Sequence, residues 1–283
     1  MVPAMLVLRA ARLLQQTVEI SVAAKSLPMA LKKHDDEPEA QAELAPFDDG
    51  DFHCVSARLA RDPQYNDRRL VLRRKLLSLT KVLVARAKDA GVGLDARSSL
   101  HAPSVFNGMQ VKRIWGYAMR DKAAKKKLKA TLGADLAKDL DAAYRNAYVC
   151  LAVEGEAIEV SLRVHADAWF DGTNLVNRVK KEGAKPWRDE LNQLEGFVLR
   201  LADWKGEWVC GKLDVQQLEQ FLKYYKPAEH ALMVEQRVPA VPGSRTHLYA
   251  PDLPERLVTQ ALRLVPLYRF MAWSDESDHL FTR

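Results

Sequence analysis

Two short apolar arms separated by three residues constrain this chain more than any other feature. Residues 147–153 (AYVCLAV) and 157–164 (AIEVSLRV) flank Glu154-Gly155-Glu156, a connection with a central glycine. Apolar runs of this length around a short glycine turn predict a β-hairpin. In the second arm Ile158, Val160, Leu162 and Val164 alternate with Glu159, Ser161, Arg163 and His165. Successive strand side chains point to opposite faces, so one face of this sheet is buried and the other polar.

The second strong element is a helix over residues 66–90. Leu72, Leu76, Leu79 and Leu83 recur at helical spacing and make one apolar stripe. Asp67 falls in the first turn, where it suits the positive end of the helix dipole. Gly91 and Gly93 stop the helix. Arg74, Lys81 and Lys88 recur every seven residues on the side away from the leucines. This helix buries leucines and presents a row of positive charge.

Elsewhere the pattern predicts a strand over 110–120, a basic helix over 121–132 and a second short helix over 134–145. Helices follow at 166–181 and 186–194, and short strands at 196–202 and 207–211. Asp214 caps a helix running to Tyr225, and residues 231–238 form a strand. Residues 94–107 read as a loop, as do the proline-rich residues 239–254. The final helix, 255–273, is interrupted by Pro266, and the acidic tail at 275–278 is expected to fray. The strands are joined by hairpins or short helices, without regular βαβ alternation. The expected fold class is therefore α+β, a mainly antiparallel sheet with surrounding helices.

The N-terminal part differs in character. Residues 4–30 read as a helix that turns strand-like. Residues 32–51 carry eight acids and two prolines, a composition that predicts a mobile acidic linker. That segment can also fold back on the basic stretch that follows it, as an internal polyanion. The expected organisation is residues 1–51 as N-terminal segment and linker, 52–145 as a basic helical region and 146–283 as an α+β sheet region. The last two can share one domain.

Composition narrows the functional classes. No apolar run approaches the roughly 18–20 residues needed to span a bilayer. The apolar stretch 2–8 is followed by Arg9 and Arg12, the wrong order for a secretory signal. Cys54, Cys150 and Cys210 are isolated and odd in number, with no zinc spacing. Reduced, buried thiols in a cytoplasmic protein are the expectation.

Charge supplies the main functional hint. Residues 52–130 hold 19 Lys/Arg against 5 Asp/Glu, a local balance of +14 in a chain whose net charge is +6. Solubility needs no such segregation, so the basic stretch is expected to meet a polyanion, DNA or RNA, or an acidic protein surface. Arg74, Lys81, Lys88, Lys112, Arg113, Lys122, Lys125, Lys126 and Lys129 would contact phosphates. Lys122, Lys125, Lys126 and Lys129 share one helix face, where mutual repulsion favours an anionic partner. Arg113, Trp115, Tyr117 and Met119 share one face of the strand 110–120. The aromatic pair is either a stacking platform for single-stranded bases or part of the core.

An alternative reading is a Mg²⁺-dependent nuclease, in which carboxylates hold the ion and a lysine helps orient water. Asp203-Trp204-Lys205 supplies a D-x-K, and Glu159 or Asp167 would share the metal with Asp203. The same tripeptide also suits an ordinary turn. The remaining alternative is an adaptor or subunit whose basic face docks an acidic partner. His165 near Arg163 and Asp167 admits acid–base work, or a plain surface histidine. Trp169, Trp187, Trp204 and Trp208, with Arg163, Arg178, Arg188, Arg200, Asn174 and Asn177 nearby, line an anion pocket or the core. No serine lies in a GxSxG elbow, and Gly91-Val92-Gly93 lacks the rest of a phosphate loop.

Overall fold

Among the described residues, seven antiparallel strands form one sheet in the order β1-β2-β3-β4-β7-β5-β6. A computed structural model describes residues 44–240 and 246–281. The expectations for residues 4–30 and for residues 32–43 of the linker lie outside the described residues. So do residues 241–245 of the proline-rich loop.

The predicted hairpin is β3 (Ala147–Glu154) and β4 (Ala157–Val164), paired so that Val153 faces Ile158 and Cys150 faces Ser161. β2 (Arg113–Arg120) pairs with β3, and β1 (Leu94–Ser98) pairs with β2. On the other side β7 (Leu232–Pro239) pairs with β4, followed by β5 (Val198–Leu201) and β6 (Trp208–Val209). The fold is α+β. The basic region supplies β1 and β2 to the same sheet as the later strands, so both regions share one core.

Strand alternation sorts the sheet into two faces. Ile114, Ala118, Val149, Leu151, Ile158, Val160, Leu162, Val234 and Leu199 point to one side and belong to the main core. Helices α1 (Asp49–His53) and α2 (Asn66–Asp89) pack there, with α7 (Leu253–Arg263) and α8 (Val265–Met271). Between them in sequence lie α3 (Lys122–Leu132), α4 (Trp169–Glu182), α5 (Lys185–Asn192) and α6 (Val215–Tyr224). The opposite face takes no part in that core and carries most of the sheet's charged side chains.

Gly116 sets how closely α2 approaches the sheet. A Cβ at this position would lie 2.6 Å from the Leu76 carbonyl oxygen and would also overlap the Thr80 hydroxyl. Gly116→Val is therefore expected to lose about 1–3 kcal/mol of stability through overpacking, measured as a lower urea midpoint.

Several elements depart from the sequence expectation. Residues 94–98 are an edge strand rather than loop, because pairing with β2 supplies what their polar sequence does not. Residues 134–145 form turns and a short 3₁₀ turn rather than an α-helix. Asp139 takes a φ of 58°, and Asn146 Nδ2 donates to the Leu140 and Ala142 carbonyls. The last helix is two, α7 and α8, meeting at Leu264 with Pro266 in the first turn of the second. The tail is packed: Ser277 is buried, and Arg178 donates to its hydroxyl. Residues 44–51 are also packed, with Phe47 and Asp51 buried. The three cysteines are free and buried, and burial pushes the Cys54 and Cys150 thiols up to about 11. Among the described residues no helix is long and apolar enough to cross a membrane.

Candidate nucleic-acid interface

Helix α2 owes its orientation to its leucines. Leu72, Leu76, Leu79 and Leu83 are buried against the sheet, so Arg74, Lys81 and Lys88 face outward and are exposed. At 1.5 Å per residue the three cations stand about 10 Å apart along the axis. None has an acidic partner among the described residues. Their neighbours on the flanks of the helix differ. Lys75 Nζ lies 2.7 Å from Asp51 and Arg68 Nη2 2.9 Å from the same carboxylate; Arg68 also pairs with Asp48. Arg86 makes a two-pronged contact to Glu255, one arm at 2.9 Å. The last acids of the N-terminal acidic stretch thus lie against this helix and neutralise one flank.

Trp115 and Tyr117 alternate with Gly116, so they project from the opposite side of the sheet to α2. Both are half-buried and outside the main core. The Arg113 guanidinium lies over the Trp115 ring at 5.4 Å, and Tyr117 meets Tyr148 edge-on at 5.7 Å. Lys112, one residue earlier, is exposed. The sheet therefore separates the aromatic pair and Arg113 from the cation row of α2; the two do not form one surface.

Helix α3 begins at Asp121, whose carboxylate accepts from the Ala124 N–H at 2.8 Å. Lys122, Lys126 and Lys129 are exposed, but Lys125 is only 8 % exposed and reaches Asp141 at 3.0 Å. Among the described residues, Lys122, Lys126 and Lys129 of the cationic face have no acidic partner. The fourth, Lys125, is held by an exposed carboxylate, Asp141.

Glu159 does not meet the other acids of the nuclease reading, Asp167 and Asp203. Glu159 lies opposite Arg237 in the β4–β7 ladder, whereas Asp167 and Asp203 follow the strand ends at Val164 and Leu201, both aligned with Leu232. Five residues of strand, roughly 17 Å, separate the two levels. Glu159 is also already filled. It accepts from Arg113 at 2.9 Å, Arg163 at 2.7 Å, Ser161 at 2.5 Å and Arg237 at 3.3 Å. Burial pushes this carboxyl up, but the guanidinium charges of Arg113 and Arg163 outweigh it and hold it below its usual range. Asp203 instead sits 3.7 Å from His230, and Lys205 is exposed. No cluster of three His, Cys, Asp or Glu side chains among the described residues is placed to hold a metal ion.

Sequence reasoning missed the partners that make Glu159 part of a longer chain of charge. Arg163 reaches Glu235 at 3.5 Å, Arg200 bridges Glu235 and Glu207, and Arg237 also holds Glu154. The signal was present: Met233, Glu235 and Arg237 alternate through β7 on the parity of Glu159. The tryptophan cluster divides. Trp187 is core against Phe221, whereas Trp204 is partly exposed and stacks on Tyr224 at 4.9 Å. Asn174 and Asn177 hold the C-terminal segment through the Met271 and His279 carbonyls.

The chain matches no protein-family model, and no curated protein matches its sequence.

Proposed function

We propose that this protein binds a polyanion, DNA or RNA, by phosphate contacts along the outer face of α2. The observation that supports this reading is the outward row Arg74, Lys81 and Lys88. These cations stay exposed and unpaired among the described residues, while Arg68, Lys75, Arg86, Arg113, Arg120, Lys125 and Lys127 of the same basic stretch pair with acids. Free charge, rather than total charge, decides counterion release on binding. Lys122, Lys126 and Lys129 extend the basic character near the end of the sheet where Lys88 lies. The reading implies backbone recognition without base readout. The free, buried cysteines also support the expectation of a cytoplasmic protein.

A second reading rests on Trp115 and Tyr117, which are half-exposed beside Arg113 on the polar sheet face. It would be a stacking platform for single-stranded nucleic acid.

Fluorescence anisotropy of labelled single- and double-stranded DNA and RNA across salt concentrations separates the two. Reversing Arg74, Lys81 and Lys88 to glutamate is expected to weaken binding and to flatten the log–log salt slope by about 3 units, roughly one per lost phosphate contact. Trp115→Ala should leave that slope unchanged. An unaltered slope in the triple variant would end the α2 reading. A loss confined to single strands in Trp115→Ala would favour the sheet face. Binding to an acidic protein, with none to nucleic acid at low salt, would assign the row to an adaptor instead.

A further inference from the structure

Residues 99–112 join β1 to β2 and carry the two most exposed large apolar side chains among the described residues, Val105 at 79 % and Phe106 at 90 %. Leu100 and Met109 of the same loop are exposed as well. The loop holds a fixed shape. The Asn107 side chain accepts from the Ser104 N–H at 2.8 Å and donates to the Ala102 carbonyl at 2.9 Å. The Met109 N–H donates to the Ser104 carbonyl at 2.8 Å. Gly108 and Met109 both take a positive φ, which folds the chain back behind Phe106. Apolar surface left in water is unfavourable, and here an ordered backbone keeps it there. A tip of that kind has the form of a contact surface.

The charges behind the tip point to what it meets. No acid occurs between Asp95 and Asp121. The Val111 N–H donates to the Ala60 carbonyl at 2.7 Å, which brings the exposed Arg61 and Lys112 to the base of the loop. At the start of the loop Arg73 donates to Ser98 at 2.8 Å and meets the His101 ring at 3.4 Å. Burial and the charges of Arg73, Arg74 and Arg69 hold His101 below its usual value, against the pull of Asp67. Asp62, Asp67 and, on the adjacent β3–β4 turn, Glu156 oppose the five cations Arg61, Arg69, Arg73, Arg74 and Lys112, so the balance is positive. We propose that this loop inserts Val105 and Phe106 into the surface of an anionic lipid bilayer, with Leu100 and Met109 at the boundary and Arg61 and Lys112 against the headgroups. An apolar tip in front and cations behind match hydrocarbon beneath anionic headgroups. Bases also lie behind phosphates. Leu100, Val105 and Met109, however, are aliphatic and offer no ring to stack on a base, whereas hydrocarbon accepts all four side chains. Insertion at this tip is independent of nucleic-acid binding by α2.

The test is flotation of the full chain with vesicles of phosphatidylcholine and phosphatidylserine, and with vesicles of phosphatidylcholine alone. The mixed vesicles are expected to bind it more tightly, and salt to weaken that binding. Phe106→Ser should weaken binding about tenfold or more, the equivalent of leaving one phenylalanine side chain in water. Its melting temperature should stay within about 2 °C of the wild type. Reversing Arg61 and Lys112 to glutamate should weaken binding to the mixed vesicles about tenfold or more. The three native cysteines are buried, so Val105→Cys takes an environment-sensitive dye at that position alone. Its emission should shift to the blue with mixed vesicles and stay unshifted with duplex or single-stranded nucleic acid. No binding to mixed vesicles, equal binding to both vesicle types, or undiminished binding in Phe106→Ser or in the charge-reversed variant overturns the proposal. So does bound protein with an unshifted dye. A blue shift with nucleic acid and none with vesicles overturns it and assigns the tip to a wedge between bases. Blue emission before any addition, or a clear fall in the melting temperature of Phe106→Ser, means that a second copy or another part of the chain covers the tip, and overturns it as well.

Discussion

Asp171→Ala is expected to cost about 3–5 kcal/mol of stability, the range for removing one partner of a buried ion pair. Asp171 is fully buried in the first turn of α4. Its carboxylate accepts from the Arg120 guanidinium on β2, from the Ala147 N–H of β3 at 2.7 Å and from the Trp273 N–H at 2.9 Å. Truncation leaves a buried guanidinium with no counter-charge and two backbone donors without acceptors. The Arg120 guanidinium also lies 5.1 Å from the Phe170 ring, so it has no route to water without disturbing that packing. Urea unfolding gives the test, with Asp203→Ala as the contrast. Asp203 is exposed in a turn, and its loss should stay within about 0.5 kcal/mol. Equal midpoints for the two variants would mean that Asp171 is not the junction described.

Glu159→Gln is the second large effect, about 3 kcal/mol at neutral pH. The substitution keeps the shape but removes the charge that Arg113, Arg163 and Arg237 converge on. Those guanidinium groups then repel one another across a face where Glu159 itself is fully buried. The pH dependence has a definite sign. Glu159 titrates below its ordinary value of 4.5, so its contribution is complete above that value and is lost as pH falls through the lower folded value. The difference in urea midpoint between wild type and Glu159→Gln should therefore be largest near neutrality and shrink as the pH drops below 4.5. A gap that stays constant on acidification would show that the carboxylate charge is not what the variant removes.

Those two residues mark the limits of what the sequence reveals. The β3–β4 hairpin and helix α2 were legible because periodicity is local: four leucines at helical spacing, or alternating Ile and Val, define a buried face without outside information. Gly116 was legible as well, since a glycine within a strand marks close approach by another backbone. Read together with strand parity, it would have put Trp115 and Tyr117 on the side away from α2. Edge strand β1 was not legible, because Leu94-Asp95-Ala96-Arg97-Ser98 has one large apolar residue and relies on β2 for its geometry. Nor could residue order reveal that Lys125 meets Asp141, or that Arg120, Ala147 and Trp273 converge on Asp171. Contacts of that kind join residues tens of positions apart and leave no periodic trace. The exposed row Arg74, Lys81 and Lys88 was read from sequence; which of the other cations are neutralised required the fold.

The chain of charges across the polar sheet face also acts as a proofreading device during strand pairing. Hydrophobic alternation forbids β4 and β7 from slipping by one residue, because that would turn Ile158, Val160 and Leu162 toward the arginines. It cannot forbid a slip of two, which restores the apolar face. Charge can. In the native ladder Glu159 faces Arg237 and Ser161 faces Glu235. Sliding β7 by two residues in one direction sets Glu159 against Glu235, and in the other against the uncharged Pro239. Only the native alignment gives that buried carboxylate a cation directly across the ladder, so the charged positions of β4 and β7 are constrained to vary as a set.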